Sequence, residues 1–220
     1  MGKGNGFKRY FLFVLMMVLV LLCGTQSQAN LVSTFDTSTE GWTVVRASDN
    51  SVNWGPTGGN PGGFLSGVDQ GQGGGVGFFM SPSSWNGDWT GYKNGQLKYD
   101  LAIHNPNSRY YQHAFDVQIL SGSTALTGIS VQTTAWTGWK TFEVPLTAAS
   151  FGNDPNFDTV MANVTGLYIR AEYLIGYETE KLDNVRVTGT AAPVPEPATM
   201  LLLVTGLVGL ASTRLRRKKQ

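Results

Sequence analysis

Alternation between apolar and polar residues is the dominant pattern in the middle of the chain. In the stretch 96–104 every second residue from Leu97 to Ile103 is apolar, and most of the residues between them are polar. The same period of two recurs in the stretches 115–119, 141–144 and 167–173. A period of two is typical of a strand that buries one face. The predicted inward set includes Leu101, Phe115 and Ile169, and the predicted outward set includes Asp100, Asp116, Glu143, Arg170 and Glu172.

Several such strands predict an antiparallel β-sandwich, because a single sheet would leave its apolar face in water. No pattern of a long amphipathic helix stands between the two termini. The stretch 53–77 is dense in glycine, which predicts turns and bulges around a short strand near Phe64 and Leu65. It lacks the spacing of a phosphate-binding loop. The predicted fold class is therefore all-β, without a nucleotide site.

The first 29 residues have the pattern of a secretory signal peptide. Three bases precede the apolar run 11–22, and small residues near Ala29 suit cleavage by signal peptidase. The only cysteine, Cys23, lies within this segment. Cleavage after Ala29 would leave a body without disulfides and without a catalytic thiolate.

The C-terminal end has three parts in order: a linker (191–197) with the triplet Pro195-Glu196-Pro197, an apolar run (198–213) and a basic tail (214–220). A helix over the apolar run would rise about 24 Å, less than the roughly 30 Å hydrocarbon core of a bilayer. The run therefore predicts a single short transmembrane helix that spans only marginally. Five bases are expected to hold the far end in the cytoplasm, namely Arg214, Arg216, Arg217, Lys218 and Lys219. An ordinary tail anchor is the alternative.

Charge is distributed unevenly along the chain. The whole sequence has a formal net charge of +1, but residues 31–190 contain eight Lys and Arg against fourteen Asp and Glu, a difference of minus six. This segment has the length of one ordinary domain. A mildly acidic body without a basic stripe gives no electrostatic footprint for nucleic acid.

The segment 31–190 contains few residues that are candidates for catalysis or metal binding. Only His104 and His113 are present, and neither a zinc-protease motif nor a nucleophile elbow occurs. Carboxylates on predicted outer faces, such as Asp100 and Glu143, leave a glycosidase pair open as an alternative. Interleaved bases are also typical of a face that is merely soluble.

Aromatic residues near predicted turns are the better functional candidates, because exposed aromatic faces stack on the C–H faces of sugar rings. The possible glycan platform comprises Trp54, Trp85, Trp89, Tyr92, Trp136 and Trp139, with Tyr110 and Tyr111 as further candidates. The alternative is that several of them belong to the core, since Trp is highly buried on average.

The body resembles the laminin B (domain IV) module over nearly all of residues 31–188. The matching stretches are "STFDTSTEGW", "GGNPGGFLSGVD", "MSPSSWNGDWTGYKNGQLKYDL", "MANVTGLYIRAEY" and "KLDNVRV". The resemblance implies a jelly-roll sandwich, related in shape to carbohydrate-binding modules, with an extracellular structural or adhesive role and no enzymatic activity. Jelly-roll modules of that kind often hold a structural calcium where the first and last strands meet. This implies a partial calcium site at Asp36 and Asp183.

The tail resembles the PEP-CTERM sorting signal, in its Pro-Glu-Pro triplet, apolar run and basic cluster. The resemblance implies processing by an exosortase, a membrane cysteine protease. It also implies passage from an inner-membrane-tethered precursor to the cell surface or exopolysaccharide matrix of a Gram-negative bacterium. The leading hypothesis is an exported, non-enzymatic matrix protein that binds or coexists with exopolysaccharide. A secreted polysaccharide-active enzyme and a purely structural spacer are the alternatives.

Overall fold

The computed structural model of the protein describes residues 30–45, 51–70, 76–104, 112–129, 136 and 138–190. The predicted signal peptide, sorting triplet, apolar run and basic tail lie outside these residues. Within the described part of the chain, no helix is long and apolar enough to cross a membrane.

Eleven strands lie within the described residues. They are β1 (Leu31–Ser33), β2 (Thr43–Val45), β3 (Val52–Gly55), β4 (Phe64–Gln70), β5 (Phe78–Met80), β6 (Gln96–His104), β7 (Phe115–Ser121), β8 (Thr124–Ile129), β9 (Gly138–Pro145), β10 (Gly166–Arg170) and β11 (Tyr177–Thr188). The helical segments among these residues are short: α1 (Phe157–Met161) and three 3₁₀ turns, Ser83–Trp85, Thr90–Tyr92 and Ala148–Phe151.

The strands form two antiparallel sheets. The six-stranded sheet has the order β3-β4-β11-β6-β9, and β1 pairs with the end of β11. The five-stranded sheet has the order β2-β5-β10-β7-β8. The two sheets confirm the predicted all-β sandwich, and the described residues between 30 and 190 form one compact unit.

The apolar side of the alternation lies between the sheets, as the sequence predicts. Leu97, Tyr99 and Leu101 of β6 are buried in the core together with Leu167 and Ile169 of β10. Ring contacts add to this packing. Tyr99 stacks on Phe142 of β9 with ring centres 5.2 Å apart, and Trp136 meets Tyr173 edge-on at 5.0 Å.

The predicted faces are wrong at two positions of β7, Phe115 and Asp116. A β-bulge against β8 shifts the register between Phe115 and Val117. A bulge inserts one extra residue into a strand and breaks its alternation locally. Asp116 is therefore buried and Phe115 is half-exposed, the reverse of the prediction.

Asp100 and Arg170 are also buried, although the sequence pattern predicts both on solvent-exposed faces of their strands. Asp100 accepts hydrogen bonds from Asn60 Nδ2 (3.1 Å) in the loop 56–63 and from Thr141 Oγ1 (2.6 Å) on β9. The guanidinium of Arg170 forms an ion pair with Asp116 (3.3 Å). Buried charges persist where they are paired and hydrogen-bonded, and alternation alone does not reveal such partners.

We expect Leu101→Ala to lower the free energy of unfolding by roughly 2–5 kcal/mol, because it opens a cavity between the sheets. Urea unfolding of a fragment spanning residues 30–190 measures the change. Val32→Ala on β1, at a side chain 52% exposed, is the matched control and should shift stability by no more than about 0.5 kcal/mol. Equal effects of the two substitutions would contradict the assigned core.

Candidate functional site

One row of residues crosses the outer face of the five-stranded sheet. The pairing register aligns Thr43, Met80, Tyr168, Gln118 and Thr127 on β2, β5, β10, β7 and β8. Residues paired across antiparallel strands point to the same face. The alternate positions, such as Phe79 and Ile169, are buried in the core. The row therefore lies on the side of the sheet away from the core, and its members are exposed or half-exposed.

Three half-buried rings form a cluster on this side of the sheet, here called the outer aromatic patch: Phe78, Phe115 and Tyr168. Phe78 stacks on Phe115 with ring centres 5.9 Å apart and an angle of 6° between the rings. Tyr168 lies 5.8 Å from Phe78 at a tilt of 38°. The ring of His113 meets Phe115 edge-on at 4.3 Å. The three rings form one half-exposed apolar cluster beside polar groups.

The sequence did not identify this patch. Phe115 was assigned to the core because its alternation matches that of Val117, and only the bulge in β7 turns it outward. Phe78 and Phe79 are adjacent in β5, so one ring must face each side of the sheet. That pair of adjacent aromatic residues was the available signal for an exposed ring on this strand.

Half of the predicted glycan platform belongs to the core. Trp85, Trp89 and Tyr92 are buried, so their faces cannot stack on a sugar. Trp89 Nε1 donates to the carbonyl oxygen of Trp85 (2.8 Å), and Trp85 meets Trp42 edge-on at 5.2 Å. The Trp89 side chain can be buried because its N–H group finds an acceptor inside the fold.

The other predicted platform residues are more accessible but are spread over the six-stranded sheet. Trp54 is 38% exposed on β3, and its Nε1 donates to the carbonyl oxygen of Phe35 (2.6 Å). Trp139 is half-buried on β9, the opposite edge strand, and packs near Phe64 at 6.3 Å. Trp136 is half-buried and packed against the core. A sugar-binding role for these three stays a prediction, and Tyr110 and Tyr111 lie outside the described residues.

Asp36 and Asp183 lie on either side of the loop 56–63. Asp183 is buried, and its carboxylate accepts the backbone N–H groups of Asn60 (2.5 Å) and Asn184 (2.6 Å). A Cβ on Gly62, where φ is +95°, would collide with the Asp36 carboxylate. Glycine is thus required where the loop passes the first strand.

Burial raises the pKa of Asp183 to about 6, and the charges of Asp100 and Asp36 add to the shift. Calcium prefers six to eight oxygen ligands. Within the described residues, no group of three or more His, Cys, Asp or Glu side chains is arranged to hold a metal. Asp36 and Asp183 provide two carboxylates only, so calcium binding stays a prediction.

A second group of carboxyls lies inside the sandwich. Glu178 and Glu180 of β11 are buried, and Glu178 accepts the backbone N–H groups of Tyr173 (2.9 Å) and Leu174 (2.6 Å). Burial, with the hydrogen bond to Glu180 and its charge, raises the pKa of Glu178 far above its ordinary value of 4.5. A glycosidase pair must reach its substrate, whereas this pair is closed to solvent. The hydrogen bonds of Glu178 instead fix the segment between β10 and β11.

Comparisons with known proteins agree with the sequence resemblances. The laminin B (domain IV) family model matches residues 78–200, and the PEP-CTERM protein-sorting motif matches residues 193–218. No curated protein matches the chain.

Solved structures with similar folds come from several kinds of protein. The L4b domain of human laminin alpha-2 aligns with a TM-score of 0.53 at 13% identity, covering 73% of this chain and 98% of that one. The family 11 carbohydrate-binding module of a Clostridium thermocellum cellulosomal cellulase gives 0.50 at 14%, covering 75% and 97%. An exo-beta-agarase gives 0.52 at 12%, covering 75% of this chain but 26% of that one. These likenesses show the jelly-roll fold.

The free energy of unfolding should fall as the pH rises from about 4.5 toward neutrality, because the folded protein keeps a proton on Glu178 that the unfolded chain has lost. The raised pKa of Asp183 acts in the same direction. Glu180→Gln removes the neighbouring charge, so it should lower the pKa of Glu178 and flatten this dependence. Urea titrations at several pH values measure the slope.

The control for this experiment is Asp158→Asn, at a carboxylate that is 80% exposed in α1. It should leave the slope over this pH window unchanged. A wild-type protein whose stability increases with pH over the window would contradict the assignment of a protonated, buried Glu178.

Proposed function

The chain belongs to the laminin B (domain IV) family and carries a PEP-CTERM sorting motif, and from these we propose that it is a non-enzymatic protein of the cell surface or exopolysaccharide matrix that binds carbohydrate through the outer aromatic patch. The sorting motif implies export through a membrane-anchored precursor and processing by an exosortase. The domain matched by the laminin B model would be the part that acts after export.

The observation that carries the proposal is the cluster of Phe78, Phe115 and Tyr168 on a solvent-facing sheet. Monomeric proteins keep contiguous exposed apolar patches small, so a cluster of half-exposed rings points to a binding surface. Sugar rings offer C–H faces to such rings, while their hydroxyls need neutral hydrogen-bonding partners. Gln118 and Tyr168 supply these partners in the row beside the stacked rings.

The fold is compatible with this role, because a carbohydrate-binding module is among the proteins that share it. The enzyme alternative has less support. Of the carboxylates on predicted outer faces, Asp100 and Asp116 are buried and engaged by a hydrogen bond or an ion pair, and the exposed Glu143 pairs with Lys98 at 2.6 Å. Glu178 and Glu180 are buried as well. The exo-beta-agarase that shares the fold extends far beyond the matched segment. The spacer alternative differs from the proposal only in predicting no glycan affinity.

We expect Phe78→Ala and Tyr168→Ala each to weaken binding to the extracellular polysaccharide of the native host by at least about tenfold, since each removes a stacking ring. Affinity electrophoresis of the exported protein in gels containing that polysaccharide measures the loss. Tyr177→Ala is the matched control, because Tyr177 is 58% exposed on the six-stranded sheet. Equal retardation of all variants would favour the spacer.

We also expect the exported protein to lack the basic tail. Glu196→Ala should trap unprocessed precursor in the membrane, because it alters the triplet that the protease recognises. Glu143→Ala on β9 is the control and should be processed normally. Intact-mass spectrometry of the exported form decides the question: a C-terminus at Gln220 would mean that the tail is an ordinary anchor.

A further inference from the structure

The outer face of the five-stranded sheet carries no exposed formal charge among its described residues. These are Thr43, Val45, Phe78, Met80, Phe115, Gln118, Leu120, Ala125, Thr127 and Tyr168. Arg170 pairs with Phe78 in the ladder but is buried, and Asp116 neutralises its guanidinium at 3.3 Å. The ring of His113 lies beside the patch, and its Nδ1 is 3.2 Å from the carbonyl oxygen of Phe115.

A carboxylate lies at the rim of the patch. Glu172 is half-buried, and its Oε2 accepts the backbone N–H of Gly77 (2.8 Å), the residue before Phe78. The body around it has a formal net charge of minus six, from eight bases and fourteen acids over residues 31–190, and one of these acids, Glu178, stays protonated. An approaching polyanion is repelled over a screening length of about 8 Å at physiological salt.

The polar groups of the face are neutral and arranged in a line. Thr43, Gln118, Thr127 and Tyr168 lie in the row that crosses the sheet. Four strand spacings of about 4.8 Å give the row a length of roughly 19 Å. A surface of this length suits a chain of several sugar units, whose hydroxyls meet the row while their C–H faces lie on Phe78 and Phe115.

We propose that the outer aromatic patch selects an uncharged, linear polysaccharide and rejects polymers that carry uronate or sulfate groups. The inference rests on the proposed carbohydrate-binding function and adds the class of glycan to it. Stacking and neutral hydrogen bonds supply the attraction, and the Glu172 carboxylate with the acidic body supplies the discrimination.

Two pairs of polymers test the proposal with the exported, processed protein. The first pair is hydroxyethylcellulose and carboxymethylcellulose, which share a backbone and differ in charge. The second pair is the neutral and the anionic fraction of the host's extracellular polysaccharide, separated by anion exchange. Affinity electrophoresis at low and at high salt gives the apparent affinity for each polymer.

A neutral polymer should retard the protein equally at low and high salt, whereas its anionic counterpart should bind at least about tenfold more weakly at low salt. Glu172→Gln, which keeps an oxygen for the Gly77 N–H, should reduce this difference in affinity between the neutral and the anionic polymer. Phe78→Ala and Tyr168→Ala should abolish the retardation, and Tyr177→Ala should not. Melting curves of the variants check that each is folded.

The outcomes separate the two proposals. Retardation that depends on Phe78 and is stronger with the anionic member of a pair at low salt would overturn the selectivity for uncharged glycans and leave carbohydrate binding intact. If no polymer of either pair gave retardation that depends on Phe78 or Tyr168, the proposed function itself would fail.

Discussion

Burial of one face of each sheet is the constraint on which the rest of the structure depends. Neither sheet could keep its apolar side in water, and residues 30–190 contain no cysteine that could close the fold covalently. The sandwich is therefore held by packing, with side chains such as Leu101 and Ile169 excluded from solvent. Because the inner faces provide this stability, the outer face of the five-stranded sheet is free to display rings that stability does not require.

The buried carboxyl groups mainly hold the segments that connect the strands. Glu178 holds the segment before β11 by two backbone N–H groups, and Asp183 holds the loop 56–63 by the backbone N–H of Asn60. Each carboxyl replaces the water that a surface loop would otherwise use. The cost of burying these acids appears as raised pKa values rather than as unpaired charge.

The sequence was sufficient for the fold and insufficient for the surface. Alternation predicted the buried apolar residues of β6 and β10. Side chains at every second position share one face of a strand, and an apolar face must be buried. It failed at Phe115, Asp116 and Arg170, where a bulge and an ion pair decide burial. Trp85 and Trp89 stand near turns yet close the core, since proximity to a turn does not determine exposure. The outer aromatic patch depends on register across three strands, which no local pattern encodes.

The position of β11 has a mechanical consequence. This strand of twelve residues ends the body and is flanked on one side by β6 and on the other by β4 and then β1, all antiparallel to it. A pull on its C-terminal end runs along the strand, so the ladders on both sides resist in shear and many hydrogen bonds bear the load together. A pull on the N-terminal end of the domain first loads β1, whose ladder with β11 spans three residue pairs. The strand that leads to the C-terminal end of the domain is thus held by longer hydrogen-bonded ladders than the strand that leads from its N-terminal end.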